Sequence, residues 1–142
     1  MRFKISGLFV YCAVVRKECM KDEIDFGKMQ GLVPAIVQDA SNSEILMVGF
    51  MNREAWQRTL ELGHVTFFSR TRNQLWTKGE TSGNRLKLVS ASTDCDRDTL
   101  LLRVEVEGAG VVCHEGTRSC FTKPLFRRED AEKATRFPAV QS

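Results

Sequence analysis

Three cysteines and three aspartates lie close together along the chain, and both residue types are common metal ligands. They fall within residues 94–120, in the segments Asp94-Cys95-Asp96-Arg97-Asp98, Cys113-His114 and Cys120. Thiolates hold zinc in a near-tetrahedral shell, and three protein ligands leave the fourth position open for water. The cysteines therefore suggest a catalytic zinc site.

The cysteines also allow two other interpretations. A structural zinc usually has four protein ligands, and His114 could supply the fourth, although the adjacent residues Cys113 and His114 would rarely both turn toward one ion. The thiols could instead be ordinary buried side chains, because free cysteine is among the most buried residue types. The residue types alone leave these alternatives open.

The aspartates alternate with other residues over five positions. In an extended backbone they would share one face, and Cys95 would lie on the opposite face with Arg97. Three carboxylates on one face repel each other, and a hard dication such as Mg²⁺ would relieve that repulsion, whereas a solvated acidic turn is the metal-free alternative. Because Cys95 would point away from the magnesium site, a second subunit could complete the zinc site. The candidate magnesium ligands are Asp94, Asp96 and Asp98.

A second polar segment, residues 69–84, is dense in hydrogen-bond donors and contains Gly79 and Gly83. These glycines would let backbone N–H groups approach an oxyanion, and hydroxyl and basic side chains would add donors and charge. The alternative is a plain polar turn, with Trp76 in the core instead of stacked on a ligand. The candidate anion-binding side chains are Arg70, Arg72, Lys78, Thr81 and Ser82.

Composition limits the class of protein. The chain has 142 residues, of which 42% are hydrophobic, and this length suits a single domain with a real core. Its 21 basic and 18 acidic residues are too balanced for a nucleic-acid-binding surface. Five cysteines form no disulfide-like framework, which indicates a reducing compartment, and we expect the cytoplasm.

The first nineteen residues contain an apolar run, residues 5–15, between basic residues, as a signal peptide does. No small-residue cleavage site follows the run, and its length is too short to span a bilayer. We therefore expect an N-terminal extension of uncertain role at residues 1–19, a single domain over residues 20–142, and no membrane partner.

The hydrophobic pattern predicts an α+β fold, mainly an antiparallel β-sheet with one or two short helices. Asn52 can cap a helix with a buried stripe that includes Ala55 and Trp56, and Gly63 is typical of a helix end. A second, charged surface helix is expected at residues 127–136. The predicted strands are residues 33–39, 44–50, 64–69, 74–78, 85–92 and 99–107.

The order of the motifs resembles one enzyme family. The segments 76–84, 94–98, 113–114 and 119–121 are similar to those of phosphoribosyl-AMP cyclohydrolases of histidine biosynthesis, and the similarity extends over roughly residues 24–124. The resemblance implies a hydrolase that opens the purine ring of phosphoribosyl-AMP at the N1–C6 bond and yields the formimino carboxamide ribonucleotide. It also implies an obligate homodimer. Because no pyrophosphohydrolase-like domain follows residue 142, we expect the monofunctional form.

The resemblance further implies one zinc and one magnesium ion per subunit. The zinc would be held by Cys113, Cys120 and Cys95 of the partner subunit, and the magnesium by the three aspartates. His114 is the candidate base for protons at a zinc-bound water, although it could instead only orient the zinc shell. The expected substrate-binding residues are Arg70, Arg72, Trp76, Lys78, Glu80, Thr81 and Ser82.

Two functions from other classes compete with this enzyme. A zinc-stabilised module that binds nucleic acid is disfavoured, because the aspartates would repel phosphates and the cysteines lack the paired Cys-x-x-Cys spacing of zinc ribbons. A metal carrier without catalysis would leave the segment 76–84 without a role.

Overall fold

A computed structural model describes residues 24–131, so the expected extension at residues 1–19 lies outside the described residues. Residues 128–131 are helical, where the second helix was predicted to begin, and the rest of that segment also lies outside. The other elements are β1 (Val33–Asp39), β2 (Ile45–Met51), α1 (Arg53–Leu62), β3 (Thr66–Ser69), β4 (Gln74–Thr77), β5 (Leu86–Thr93) and β6 (Leu100–Val106).

The strands form a four-stranded sheet in the order β2-β1-β6-β5 and a separate β3–β4 hairpin. Three of the pairings are antiparallel, namely β1 with β2, β5 with β6, and β3 with β4, which confirms the mainly antiparallel α+β prediction. The fourth pairing, β1 with β6, is parallel and was not predicted. Parallel strands are not joined by a tight turn, so no turn motif in the sequence indicates this pairing.

The core lies on one face of the four-stranded sheet. Alternate residues of β1 are fully buried, and β6 repeats the pattern beside it with Leu100, Leu102 and Val104. Helix α1 and strand β3 contact β2, and their buried residues Ala55 and Phe67 belong to the same core. Thr59 joins helix to strand, because its hydroxyl donates to the Ala55 carbonyl at 2.9 Å and accepts the Thr66 N–H at 2.9 Å.

Both predicted ends of α1 are confirmed. The Asn52 side chain accepts the Ala55 N–H at 2.8 Å, which satisfies one of the free amides of the first turn. Gly63 has a φ of 69° and its N–H donates to the Thr59 carbonyl at 2.9 Å. Trp56 packs against the core, as its place on the apolar stripe predicts.

Gly49 provides a test of the packing between β2 and β3. A Cβ at this position would clash with the ring of the buried Phe67. Overpacking a core costs about 1–3 kcal/mol, so we expect Gly49→Ala to lower the free energy of unfolding by about 2 kcal/mol in urea titrations. Val48→Ala, on the exposed side of the same strand, should change it by about 0.5 kcal/mol or less. Equal effects of the two substitutions would contradict this packing.

Candidate metal centres

The aspartate segment is the turn that joins β5 to β6. The Asp94 carboxylate accepts the N–H groups of Asp98 at 3.0 Å and Thr99 at 3.1 Å. Arg97 has a φ of 63°, in the left-handed region. The extended backbone considered for residues 94–98 is therefore wrong, because hydrogen bonds donated to the Asp94 carboxylate close the segment into a turn. Strand alternation therefore does not apply to this segment and cannot place Cys95 opposite the aspartates.

The turn nevertheless brings the three predicted carboxylates together. Ligand oxygens of Asp94, Asp96 and Asp98 lie within 4.8 Å of one another. Within residues 24–131, no other group of three or more Asp, Glu, His or Cys side chains is this close together. Partial desolvation opposes ionisation of Asp94, but the Thr99 and Asp98 N–H groups hold its pKa below the usual range. The cluster is thus an anionic set of oxygen donors, which is the chemistry that Mg²⁺ prefers.

A lysine that the sequence did not point to contacts this cluster. The Lys28 ammonium lies 3.2 Å from a carboxylate oxygen of Asp96 and 3.6 Å from one of Asp98, and it donates to the Asp96 carbonyl at 2.5 Å. The Asp25 N–H donates to the Arg97 carbonyl at 2.7 Å, so the backbone around Lys28 is joined to the turn. Lys28 and Asp96 are 68 residues apart in the sequence, so no local sequence pattern predicts their contact.

Two of the three cysteines form a pair in a tight turn after β6. The N–H groups of Val112 and Cys113 both donate to the Thr117 carbonyl, at 3.2 and 3.0 Å, and the Cys120 thiol is near enough to influence the pKa of Cys113. The Glu115 backbone N–H lowers the pKa of Cys113. Burial, followed by the neighbouring Cys113, raises the pKa of Cys120. One thiol of the pair is therefore predisposed to ionise, as a thiolate ligand must.

The cysteine pair is attached to the sheet by its neighbours. The Cys120 N–H donates to the Leu46 carbonyl at 2.8 Å, and the Ser119 hydroxyl donates to the Ile45 carbonyl at 2.8 Å. The Arg118 guanidinium forms an ion pair with Asp39, whose side chain is buried at the end of β1. Asp39 and Arg118 were not among the predicted site residues, because an ion pair between residues 79 positions apart leaves no spacing pattern.

The third cysteine lies elsewhere in the same chain. Cys95 is in the turn beside residues 25–31, which precede β1, whereas the cysteine pair is held at Asp39, the last residue of β1. A strand of seven residues is about 20 Å long, and Zn–S bonds are about 2.3 Å. One chain therefore presents two cysteines at one place and the third at another. His114 lies beside Cys113, since its Nδ1 is 4.0 Å from the Cys113 Sγ.

The β3–β4 hairpin positions the first part of the predicted anion-binding segment. The Arg70 guanidinium stacks on the Phe50 ring, with its central carbon 3.9 Å from the ring centroid. Trp76 packs on Phe67 at a centroid distance of 5.5 Å, and the Lys78 ammonium lies 5.6 Å from the Trp76 centroid. Trp76 is half-buried against the core, so its ring combines packing with a partly exposed surface. The remaining predicted residues of the segment are exposed, namely Arg72, Glu80, Thr81 and Ser82.

One of the two glycines in this segment, Gly83, does not act as predicted. The Gly83 N–H donates to the Gly79 carbonyl at 2.8 Å, so this amide closes the loop and is not free for an anion. Gly79 is buried with a φ of 77°, and a Cβ there would clash with the backbone of Asn84. The Asn84 side chain in turn accepts the Ala109 N–H at 2.8 Å. Gly79 is therefore required by close packing of the loop.

A cleft of about 490 Å³ lies between α1 and the β3–β4 hairpin. Glu54, Glu61 and Glu80 line it together with one basic residue, Arg58. Glu80 is the one predicted substrate-binding residue in this lining. The excess of carboxylates disfavours a phosphate ligand in the cleft.

Among the described residues, no helix has the length and apolar character needed to cross a membrane.

Comparison with known proteins assigns these motifs to a family. The family model described as phosphoribosyl-AMP cyclohydrolase matches residues 47–122. The phosphoribosyl-AMP cyclohydrolase of Solibacter usitatus is 54% identical over 108 residues, which are 76% of this chain and 82% of that protein. The one from Desulfatibacillum aliphaticivorans is 56% identical over 101 residues, which are 71% of this chain and 80% of that protein.

A longer relative also matches most of the chain. The histidine biosynthesis bifunctional protein HisIE of Bacteroides thetaiotaomicron is 60% identical over 99 residues, which are 70% of this chain and 48% of that protein. The chain therefore spans about half the length of this bifunctional relative and about four fifths of the two cyclohydrolases.

The Asp39–Arg118 ion pair predicts a pH-dependent stability. The Ser41 hydroxyl, together with the Ser41 N–H and Arg118, holds the pKa of Asp39 below its ordinary value of 3.8 despite burial. A carboxyl group with a lower pKa in the folded state stabilises the protein above its unfolded pKa, and this contribution is lost as the pH falls through the folded pKa. We expect Asp39→Asn to cost about 2 kcal/mol of unfolding free energy at pH 7, and the deficit to shrink below about pH 4.

Glu44 provides the matched control, because its carboxylate accepts from the same guanidinium at 3.1 Å but is exposed. Glu44→Gln should cost about 0.5 kcal/mol or less. Urea titrations from pH 7 to pH 3 measure both variants. A deficit in Asp39→Asn that stays constant over this range would refute the ionic role of Asp39.

Proposed function

Because the chain belongs to the phosphoribosyl-AMP cyclohydrolase family, we propose that it hydrolyses phosphoribosyl-AMP at the N1–C6 bond of the purine ring in histidine biosynthesis. The observation that carries this proposal is the extent of the family match. Residues 47–122 include every residue predicted above to bind metal or substrate or to act as the base. The expected product is the formimino carboxamide ribonucleotide, and the expected location is the cytoplasm.

The cysteine pair supports the proposed use of zinc. Two adjacent thiols, one of them predisposed to ionise, are a donor set that fits zinc better than a hard cation. When bound in such a site, zinc supplies a water whose pKa is near 7. Cys113 and Cys120 would hold the ion, and the His114 imidazole beside Cys113 would be placed to hold a proton at the site.

The position of Cys95 supports a homodimer. Since Cys95 and the cysteine pair are held near opposite ends of β1, a three-cysteine site fits Cys95 of the partner subunit better than the chain's own. The segment that follows Cys120 adds a second argument, because Phe121 is 64% exposed, Phe126 is 73% exposed and Leu125 is fully exposed. Contiguous exposed apolar side chains mark interaction surfaces. A partner that approaches Cys120 with its own Cys95 would cover this segment.

Charge is also complementary in this arrangement. Residues 121–128 carry Lys123, Arg127 and Arg128 before the acidic residues Glu129 and Asp130, and the turn that contains Cys95 carries the three aspartates. Opposite charges steer two surfaces into register even where each ion pair contributes little affinity. The exposed segment of one subunit would thus lie against the turn of the other.

The proposed substrate contacts follow from the remaining chemistry. A magnesium ion on Asp94, Asp96 and Asp98 would bind a phosphate or ribose hydroxyl of the substrate. The basic side chains of the hairpin and its loop would take a phosphate, and the exposed part of the Trp76 ring would contact the base. The residues proposed for these contacts are Arg70, Arg72, Trp76, Lys78, Glu80, Thr81 and Ser82.

The proposed activity is tested by following the absorbance of phosphoribosyl-AMP with purified protein. We expect turnover that is lost on chelation and restored by added zinc. Cys113→Ser should lower kcat at least about 100-fold while the circular dichroism spectrum is retained, because a zinc ligand is lost. Cys19→Ser, which lies outside the family match, serves as the control and should keep its activity. Absence of turnover by zinc-loaded protein would refute the proposed function.

The proposed dimer is tested by light scattering during size-exclusion chromatography. The unaltered protein should elute at twice the 16.1 kDa mass of the chain. Replacing both Leu125 and Phe126 by Ser should shift it toward monomer at micromolar concentration, since the exposed apolar surface would no longer favour association. Leu62→Ser alters an exposed apolar residue on α1 and should leave the mass unchanged. A monomeric unaltered protein would contradict the homodimer, and a dimeric double variant would exclude the segment from the interface.

A further inference from the structure

A cation from the chain itself already interacts with the aspartate turn. The Lys28 ammonium contacts carboxylate oxygens of Asp96 and Asp98 at 3.2 and 3.6 Å, and these two residues are candidate ligands of the proposed magnesium ion. An ammonium group and Mg²⁺ compete for the same oxygen lone pairs, because Mg²⁺ requires its ligands at about 2.0–2.1 Å. Both cations would also repel each other across the cluster.

The surroundings of Lys28 allow its side chain to leave without a change of fold. The backbone on either side is fixed, since Ile24 and Phe26 are buried and the Gly31 N–H donates to the Phe26 carbonyl at 2.8 Å. The Lys28 side chain itself is 38% exposed, so rotation about its own bonds carries the ammonium into solvent. Asp25 also attracts the ammonium electrostatically and offers an alternative partner.

We propose that Lys28 is a tethered competitor of the divalent cation at Asp94, Asp96 and Asp98, and that cation binding displaces its ammonium from Asp96 and Asp98. This inference rests on the proposed magnesium site. Without the divalent ion, Lys28 offsets the repulsion among the carboxylates. With the ion, the ammonium moves toward Asp25 and solvent. The tether therefore lowers the affinity of the site for the ion.

The affinity is measured with Mn²⁺ as the probe, by titrating zinc-loaded, full-length protein and recording the electron paramagnetic resonance signal of free Mn²⁺. Lys28→Gln should bind Mn²⁺ about five-fold more tightly than the unaltered protein, as expected when one surface ion pair no longer competes. Lys87→Gln makes the same change of net charge at a lysine that pairs with Glu105 at 3.2 Å, and its affinity should stay within about two-fold. An unchanged or weaker affinity in Lys28→Gln overturns the inference.

The displacement is measured separately on the unaltered protein, so that it does not depend on a variant. Brief acetylation followed by peptide mass spectrometry should label Lys28 several-fold faster with saturating Mg²⁺ than without it, while Lys87 should not change. Equal labelling of Lys28 in both conditions overturns the inference. If neither Mn²⁺ nor Mg²⁺ binds, or if Asp96→Asn binds Mn²⁺ as tightly as the unaltered protein, the magnesium site itself fails and the inference with it.

Discussion

The pairing of β1 with its two neighbours decides where each candidate ligand lies. β6 runs parallel to β1, so the turn that leads into β6 is placed beside the residues that precede β1. β2 runs antiparallel, so its first residues lie beside the end of β1, where Cys120 is bonded to Leu46. Because alternate residues of β1 are buried along its length, this arrangement cannot shift without moving the core. Cys95 lies with the aspartates near one end of β1, whereas Cys113 and Cys120 lie near the other end. A zinc site formed by all three cysteines is therefore favoured between two chains.

Each group of ligands is held by polar contacts whose partners are distant in sequence. Asp39 and Arg118 hold the cysteine turn, and Lys28 contacts the aspartate turn. A buried carboxylate such as Asp39 is stable only when its hydrogen bonds are satisfied, which ties the geometry of the cysteine pair to the integrity of the sheet. The aspartate turn is more exposed, and the Lys28 side chain that contacts it is itself partly exposed.

Local features of the fold were predictable from the sequence, because capping and alternation depend on neighbouring residues. Asn52 and Gly63 bounded α1 correctly, and the strand predictions differ from β1, β2 and β6 by at most one residue at either end. The parallel pairing and the Lys28 and Arg118 contacts were missed, since each joins residues far apart in the chain. The aspartates were grouped correctly for a wrong reason, because the segment that was treated as extended is folded into a turn by hydrogen bonds that the Asp94 carboxylate accepts. Gly83 was misjudged for a similar reason, since its amide closes the loop.

The central claim is that a zinc site needs two chains, and subunit mixing tests it most directly. Cys95→Ala and Cys113→Ala chains should each be inactive alone. After unfolding, mixing in equal amounts and refolding, half of the dimers should be mixed, and each should contain one site with all three cysteines. The account therefore predicts recovery of about one quarter of the unaltered activity. Failure to recover any activity, when mass spectrometry of differently tagged chains confirms that mixed dimers have formed, would contradict it.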